Sequence, residues 1–333
     1  MQKDGGSVRA DDPGGVFLPA RSIPTPVSIS AEAQACLAAL ERLSHLRPPW
    51  PEGSDAETWR EAISAANAHF GPAMAGMEDL PILRVDEEQV AGRALYVAVP
   101  PDAPDGYVYL DIHGGGLVAL GGDLCRLMGR RAATTTGLAT YSIDYRMPPD
   151  DPYPAGLDDC IAAYRHLLDR HDAGRIMVGG VSAGGNLAAA LALRARDEGL
   201  PLPAGLLLLT PELDLTESGD SFQTLRGLDV VQPQSYASAN ALYAGRHPLD
   251  HPYVSPLFGD VSAGFPPTFL QAGTRDLFLS NVVRFHRTLR RHGMPAELHV
   301  FEGMPHGGFG GAPEDQDVAD EVRRFVAVRL GLR

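Results

Sequence analysis

Arg175-Ile176-Met177-Val178-Gly179-Gly180-Val181-Ser182-Ala183-Gly184-Gly185-Asn186-Leu187 decides the reading of this chain. The apolar run Arg175 to Gly179 has the length and β-branched content of a buried strand, and Asn186 to Arg196 that of a helix. Gly180-Val181-Ser182-Ala183-Gly184 joins them. A turn this tight admits only small residues beside the serine and holds its hydroxyl out above the sheet edge. Taken alone, the Gly-x-Ser-x-Gly pattern is weak, since about 0.2 matches arise by chance at this composition. Its place between a strand and a helix gives it weight against the competing reading, a serine that caps the helix.

Outward from this turn, strands and helices alternate. Before it come candidate strands at 82–85, 94–99, 107–112 and 138–143, with a helix over 158–168. After it come Leu206 to Leu209, Thr268 to Ala272 and Leu298 to Phe301. Phe278, Val282, Phe285 and Leu289 mark a helix between the last two, and Val318, Val322 and Phe325 mark a final helix. Such alternation implies an α/β fold, a mostly parallel sheet covered on both faces.

Three segments depart from the rhythm. Residues 1–27 are rich in Gly, Pro and Asp and read as a mobile tail. Two helices follow. One runs from about Ser30 to Leu46, with Leu37, Leu40 and Leu43 on one face. The other starts at Ser54, with Glu57 completing a capping box, and has an apolar face of Trp59, Ile63, Ala66 and Phe70. Residues 211–262 are polar, hold five prolines and carry one helix around 234–243. A long insertion between two strands is usually functional.

The chain has 333 residues, 44% of them hydrophobic, enough for a sizeable core. A net charge of −14 argues against nucleic acid, which needs clustered Lys and Arg. No run approaches the roughly 20 apolar residues that span a bilayer. No basic start precedes an apolar segment, so the expected location is cytoplasmic. Cys36, Cys125 and Cys160 fit neither a disulfide framework nor a zinc pattern and read as buried thiols, with Cys125 the nearest to a candidate site.

A serine needs a base, and the base needs an orienting acid. Among eleven histidines, His306 lies just past the last apolar strand on the glycine-rich stretch Gly303 to Gly308. Asp276 follows the strand Thr268 to Ala272 after Gly273-Thr274-Arg275. Asp260 precedes that strand, at its wrong end, and Glu302 is the remaining rival. The order Ser182, Asp276, His306 is that of the α/β-hydrolase fold. His113-Gly114-Gly115-Gly116 follows another strand, a pattern with about 0.015 chance matches. Three glycines let backbone amides converge on an oxygen that becomes negative. A phosphate-binding loop is the alternative, but neither a following Lys nor the spaced glycine fingerprint is present.

With these motifs in place, the chain resembles the bacterial hormone-sensitive-lipase-like carboxylesterases over roughly residues 30–330. The resemblance is carried by His113 to Gly116, Asp144 to Pro149 with Tyr153-Pro154-Ala155, and the Ser182 turn continuing to Ala188. It extends through Pro256-Leu257, Phe265-Pro266-Pro267, Gly273 to Leu277 and His306 to Phe309. It implies an eight-stranded sheet in a single domain, 28–333, with a helical cap from about 28–81 and 211–262. It also implies oxyanion donors at the amides of Gly115, Gly116 and Ala183, supported by His113 and Gly114. Two positions depart from the family. Val181 stands where Asp or Thr is usual, and Leu117 where an aromatic residue follows the glycines; both bear on the pocket.

The expected activity is hydrolysis of small esters with short acyl groups, roughly two to eight carbons, without metal or cofactor. A lactone hydrolase, amide cleavage or acyl transfer would use the same groups. A small-molecule-binding protein on this fold would be expected to lack a triad member. The resemblance further implies a homodimer paired through Leu298 to Phe301.

Overall fold

The computed structural model describes residues 15–16, 20–44 and 49–332, without side-chain detail at 43 and 44. Eight strands form one sheet: β1 (Arg84–Val90), β2 (Arg93–Val99), β3 (Val108–Ile112), β4 (Ala139–Ile143), β5 (Ile176–Val181), β6 (Gly205–Leu209), β7 (Thr268–Gly273) and β8 (Ala296–Phe301). Their spatial order is β1-β2-β4-β3-β5-β6-β7-β8. β2 runs antiparallel to both β1 and β4, and every other pair is parallel. The expected eight-stranded α/β architecture is therefore present.

Helices α1 (Ala31–Ser44) and α2 (Ala56–Met74) precede the sheet. Then come α3 (Asp123–Thr136), α4 (Ala155–Leu168), α5 (Ala183–Asp197), α6 (Ser221–Thr224), α7 (Ala237–Ala244), α8 (Leu279–Arg291) and α9 (Pro313–Leu330). Strand alternation sorts the core into two layers. Val108, Leu110, Ile112, Leu206, Leu208 and Leu270 pack with α4, α5 and α8. Tyr109, Met177, Leu207 and Phe269 face Val322, Phe325 and Val326 of α9. α5 is buried almost all round, which explains why its sequence is alanine-rich rather than amphipathic.

Three expectations change. The cap of α2 is Asp55, not Ser54: Asp55 Oδ2 accepts from the Thr58 amide at 2.9 Å, one residue later than the capping-box reading placed it. Secondly, β1 extends to Val90 through Asp86-Glu87-Glu88-Gln89. As the outer strand of the sheet it gains ladder bonds from β2 without burying an apolar face, so alternation could not reveal it. Thirdly, part of the presumed mobile tail is held. The Pro24 carbonyl accepts from Arg275 Nη2 at 2.6 Å, and just beyond the tail Ile29 packs with Met304 and Phe309. Residues 1–14 and 17–19 of that tail lie outside the described residues.

Candidate active site

The turn at Ser182 is dictated by contact. A Cβ on Gly180 would lie 2.2 Å from the Ile112 carbonyl oxygen, and one on Gly184 would lie 1.8 Å from it. β3 and the start of α5 can approach this closely only because both positions are glycine. Ser182 itself holds φ 59°, a left-handed conformation costly for a residue with a side chain. That strain aims its hydroxyl out of the sheet edge.

His306 and Asp276 arrive from the loops after β8 and β7. His306 Nε2 is 2.9 Å from Ser182 Oγ, and His306 Nδ1 is 3.0 Å from Asp276 Oδ1. Asp276 Oδ1 also accepts from the Phe278 amide at 2.9 Å, which fixes the carboxylate. Both side chains are buried. Burial alone would lower the His306 pKa. Asp276, and beyond it Asp229 and Glu212, outweigh burial and hold it above the ordinary value. The rivals fall away, because Asp260 and Glu302 are exposed and make no hydrogen bond to His306.

Two groups in this neighbourhood escaped sequence reasoning. Asp229 lies in the insertion. Its Oδ1 accepts from the amides of Val231 and Gln232 at 3.0 Å each and from that of His306 at 3.4 Å. Its Oδ2 accepts from the Leu277 amide at 2.9 Å. One side chain thus ties the acid loop to the base loop. Burial first, and the Asp276 charge second, push its pKa up to about 6. Glu212 is fully buried, accepts from Asn240 Nδ2 at 2.9 Å, and is pushed by burial to about 8. The only available hint was an acid set among apolar residues in Leu228-Asp229-Val230-Val231.

The glycine loop bends beside the serine. Gly115 has φ 120°, and a Cβ there would lie 2.0 Å from the Ala119 carbonyl oxygen. Ala183 is the first residue of α5, where amides have no intrahelical acceptor. His113 is buried behind the loop. Its Nδ1 lies 2.7 Å from the Gly114 oxygen, and its ring stacks on Tyr145 at 4.1 Å. Burial pushes its pKa down to about 4, so the ring is neutral. Cys125 sits behind this loop with Asp144, within 4.8 Å of His113, rather than in the pocket.

A cavity of about 270 Å³ opens onto Ser182 and His306. Trp50, Phe70 and Met74 from the N-terminal segment border it, as do Gln232 and Tyr236 from the insertion. α1 instead packs through Ala33 and Leu37 on Met304 and Phe309, beneath the base loop. Of the two departures noted in the sequence, Val181 lines the cavity. Leu117 does not: its φ of 65° turns it inward and it is fully buried in the core.

Known proteins share this fold. A sequence profile for the α/β-hydrolase fold matches residues 109–309. Esterase LipI of Mycobacterium tuberculosis is 33% identical over 269 residues, covering 76% of this chain and 83% of that protein. The crystal structure of esterase E25 superposes with a TM-score of 0.85 at 33% identity, covering 94% of this chain and 98% of the other. A hormone-sensitive lipase from a metagenome library gives 0.78 at 27% identity, covering 90% and 98%. No helix among the described residues is long and apolar enough to cross a membrane.

Proposed function

The chain belongs to the α/β-hydrolase-fold family, and on that premise we propose that it is a serine esterase that hydrolyses small carboxylic esters through an acyl-enzyme. The observation that carries this reading is the chain of contacts from Ser182 Oγ to His306 Nε2 at 2.9 Å and from His306 Nδ1 to Asp276 Oδ1 at 3.0 Å. A serine hydroxyl becomes a useful nucleophile only with such a base.

Ser182 Oγ attacks the acyl carbon while His306 Nε2 takes its proton. Asp276 keeps the ring in the tautomer with hydrogen on Nδ1 and stabilises the imidazolium that forms. The amides of Gly115, Gly116 and Ala183 receive the developing oxyanion, with Gly114 and His113 holding the loop in shape. His306 then protonates the alcohol oxygen, the C–O bond breaks, and the alcohol leaves. Water, deprotonated by His306, attacks the acyl-enzyme and regenerates Ser182. Neutral His306 is the active form.

Of the expected cap segments 28–81 and 211–262, the parts carrying Trp50, Phe70 and Tyr236 border the cavity and cover this machinery, while α1 packs against the base loop. A covered mouth favours small esters, and the resemblance to the hormone-sensitive-lipase-like carboxylesterases implies acyl groups of about two to eight carbons. The test is a panel of p-nitrophenyl esters and lactones of graded size, with a phosphonate ester as covalent label. Labelling at Ser182 and turnover of the short esters are expected. Turnover that persists in Ser182→Ala would overturn the reading, and a preference for lactones would relocate the substrate class without changing the steps.

A further inference from the structure

We propose that the acyl chain of the substrate lies in an inner arm of the cavity, between α3 and α9, entered beside Val181 and floored by Tyr109. The proposal rests on the serine-esterase reading and adds where the retained half of the ester goes. The cavity does not stop at the serine. From Ser182 it continues down the sheet face that carries α3 and α9, and its walls follow the two periodicities of secondary structure.

On α3 the lining residues are Met128, Arg131, Ala132, Thr135 and Thr136, a single stripe of the helix. On α9 they are Asp315, Val318, Ala319 and Val322, again one stripe with its acid at the upper end, and the two helices pack against each other. The sheet supplies alternate residues of one face: Val181 from β5, Leu209 and Leu207 from β6, and Asp111 and Tyr109 from β3. Register orders them by depth. Leu209 pairs with Val181 at the level of the serine. Leu207 and Asp111 both pair with Gly179 one step lower, and Tyr109 pairs with Met177 below that.

At the level of Gly179 the space over β5 is taken by its neighbours: a Cβ there would lie 2.2 Å from the Leu207 carbonyl oxygen and 2.8 Å from both Leu207 Cβ and the Tyr109 hydroxyl, and these atoms floor the arm. Val181, the last residue of β5, is 39% exposed where the rest of the strand is buried, and that exposure is the mouth of the arm. From Met128 to Thr136 the α3 wall is about 12 Å long. An extended chain advances about 3.6 Å per three bonds, so the arm holds roughly eight to ten atoms of acyl chain.

The chemistry of turnover decides which half of the ester occupies it. The alcohol must leave past His306, and water must reach the acyl carbon, so both use the mouth bordered by Trp50 and Tyr236. The acyl group stays bound to Ser182 between the two steps. Leu207, Val322 and Tyr109, all buried, close the bottom of the arm, which suits the part that does not leave.

Ala132→Phe and Ala319→Phe each fill the arm from one helix. Measured on full-length protein with p-nitrophenyl acetate and octanoate, each variant is expected to lower the octanoate-to-acetate ratio of kcat/KM at least tenfold. Equal loss on both esters, or an unchanged ratio, overturns the proposal. Wild-type protein inert towards both esters would instead sink the esterase reading, so the two failures are distinguishable. Should either variant not fold, the wild type decides. Labelled at Ser182 with an octylphosphonate and crystallised, it is expected to show the alkyl chain between Ala132 and Ala319. A chain lying against Trp50 and Tyr236 overturns the placement.

Discussion

Asp111→Asn should make this protein more stable, and more so as pH rises. Asp111 lies on the sheet face under α3, with Ser142 Oγ donating to its Oδ2 at 2.9 Å. Burial, only partly offset by that bond, pushes its pKa from 3.8 to about 7. A carboxyl whose folded value is raised binds its proton more tightly in the native state. Native stability is then intact below the unfolded value and is lost as pH climbs through the folded one. The gap between 3.8 and about 7, at 1.36 kcal/mol per pH unit, sets a ceiling of about 4 kcal/mol at pH 8. At about pH 5 the folded carboxyl is still protonated, and the same linkage leaves only about 1.5 kcal/mol. An amide keeps an oxygen for Ser142 and removes the charge, so the variant escapes this loss. Urea denaturation of both proteins at the two pH values measures it. Glu212 and Asp229 titrate in wild type and variant alike and cancel in the difference. A midpoint gain equal at both pH values, or none at pH 8, would show that Asp111 does not carry a raised pKa.

Other outcomes follow from the site itself. Ser182→Ala and His306→Ala should each cost on the order of a thousandfold or more in kcat, because nucleophile and base act as one unit; steady-state rates on a short ester check this. Gly115→Ala forces a Cβ to within 2.0 Å of the Ala119 oxygen, displacing the loop, and kcat should fall about a hundredfold with far-UV circular dichroism unchanged. His306 must be neutral to accept a proton, so activity should fall as pH drops through a value above the ordinary 6.5. Asp229→Asn removes a charge that favours the imidazolium, and the acid limb of the kcat/KM profile should move to lower pH. Sixteen-carbon esters should be poor substrates for the intact protein; turnover matching that of butyrate would contradict a closed cap.

What could be read from the sequence was local. The Ser182 turn, the Asp276 turn and the His306 loop each follow an apolar strand and carry glycine signals, so a short window suffices to place them. β5 and α5 were legible for the same reason. Asp229 was not, because its role depends on amides at Leu277 and His306, which neighbour it only after the sheet has formed. The inward turn of Leu117 depends on a left-handed backbone that no apolar pattern encodes. β1, polar along most of its length, is a strand because β2 offers it partners. The position of the α2 cap turned on a choice between two adjacent N-cap residues, Ser54 and Asp55, which sequence alone leaves close.

The position of β8 has a consequence for how the molecule fails. His306 stands on the loop after this strand, which among the described residues pairs with β7 alone and forms the margin of the sheet. Ser182 is anchored between β5 and α5, at the centre. Marginal strands open at lower free energy than central ones. Detachment of β8 would therefore carry the base away while the nucleophile stayed in place. On heating, inactivation should run ahead of the loss of tryptophan and helical signals, leaving a population that is folded by spectroscopy, silent by assay, and recoverable on cooling.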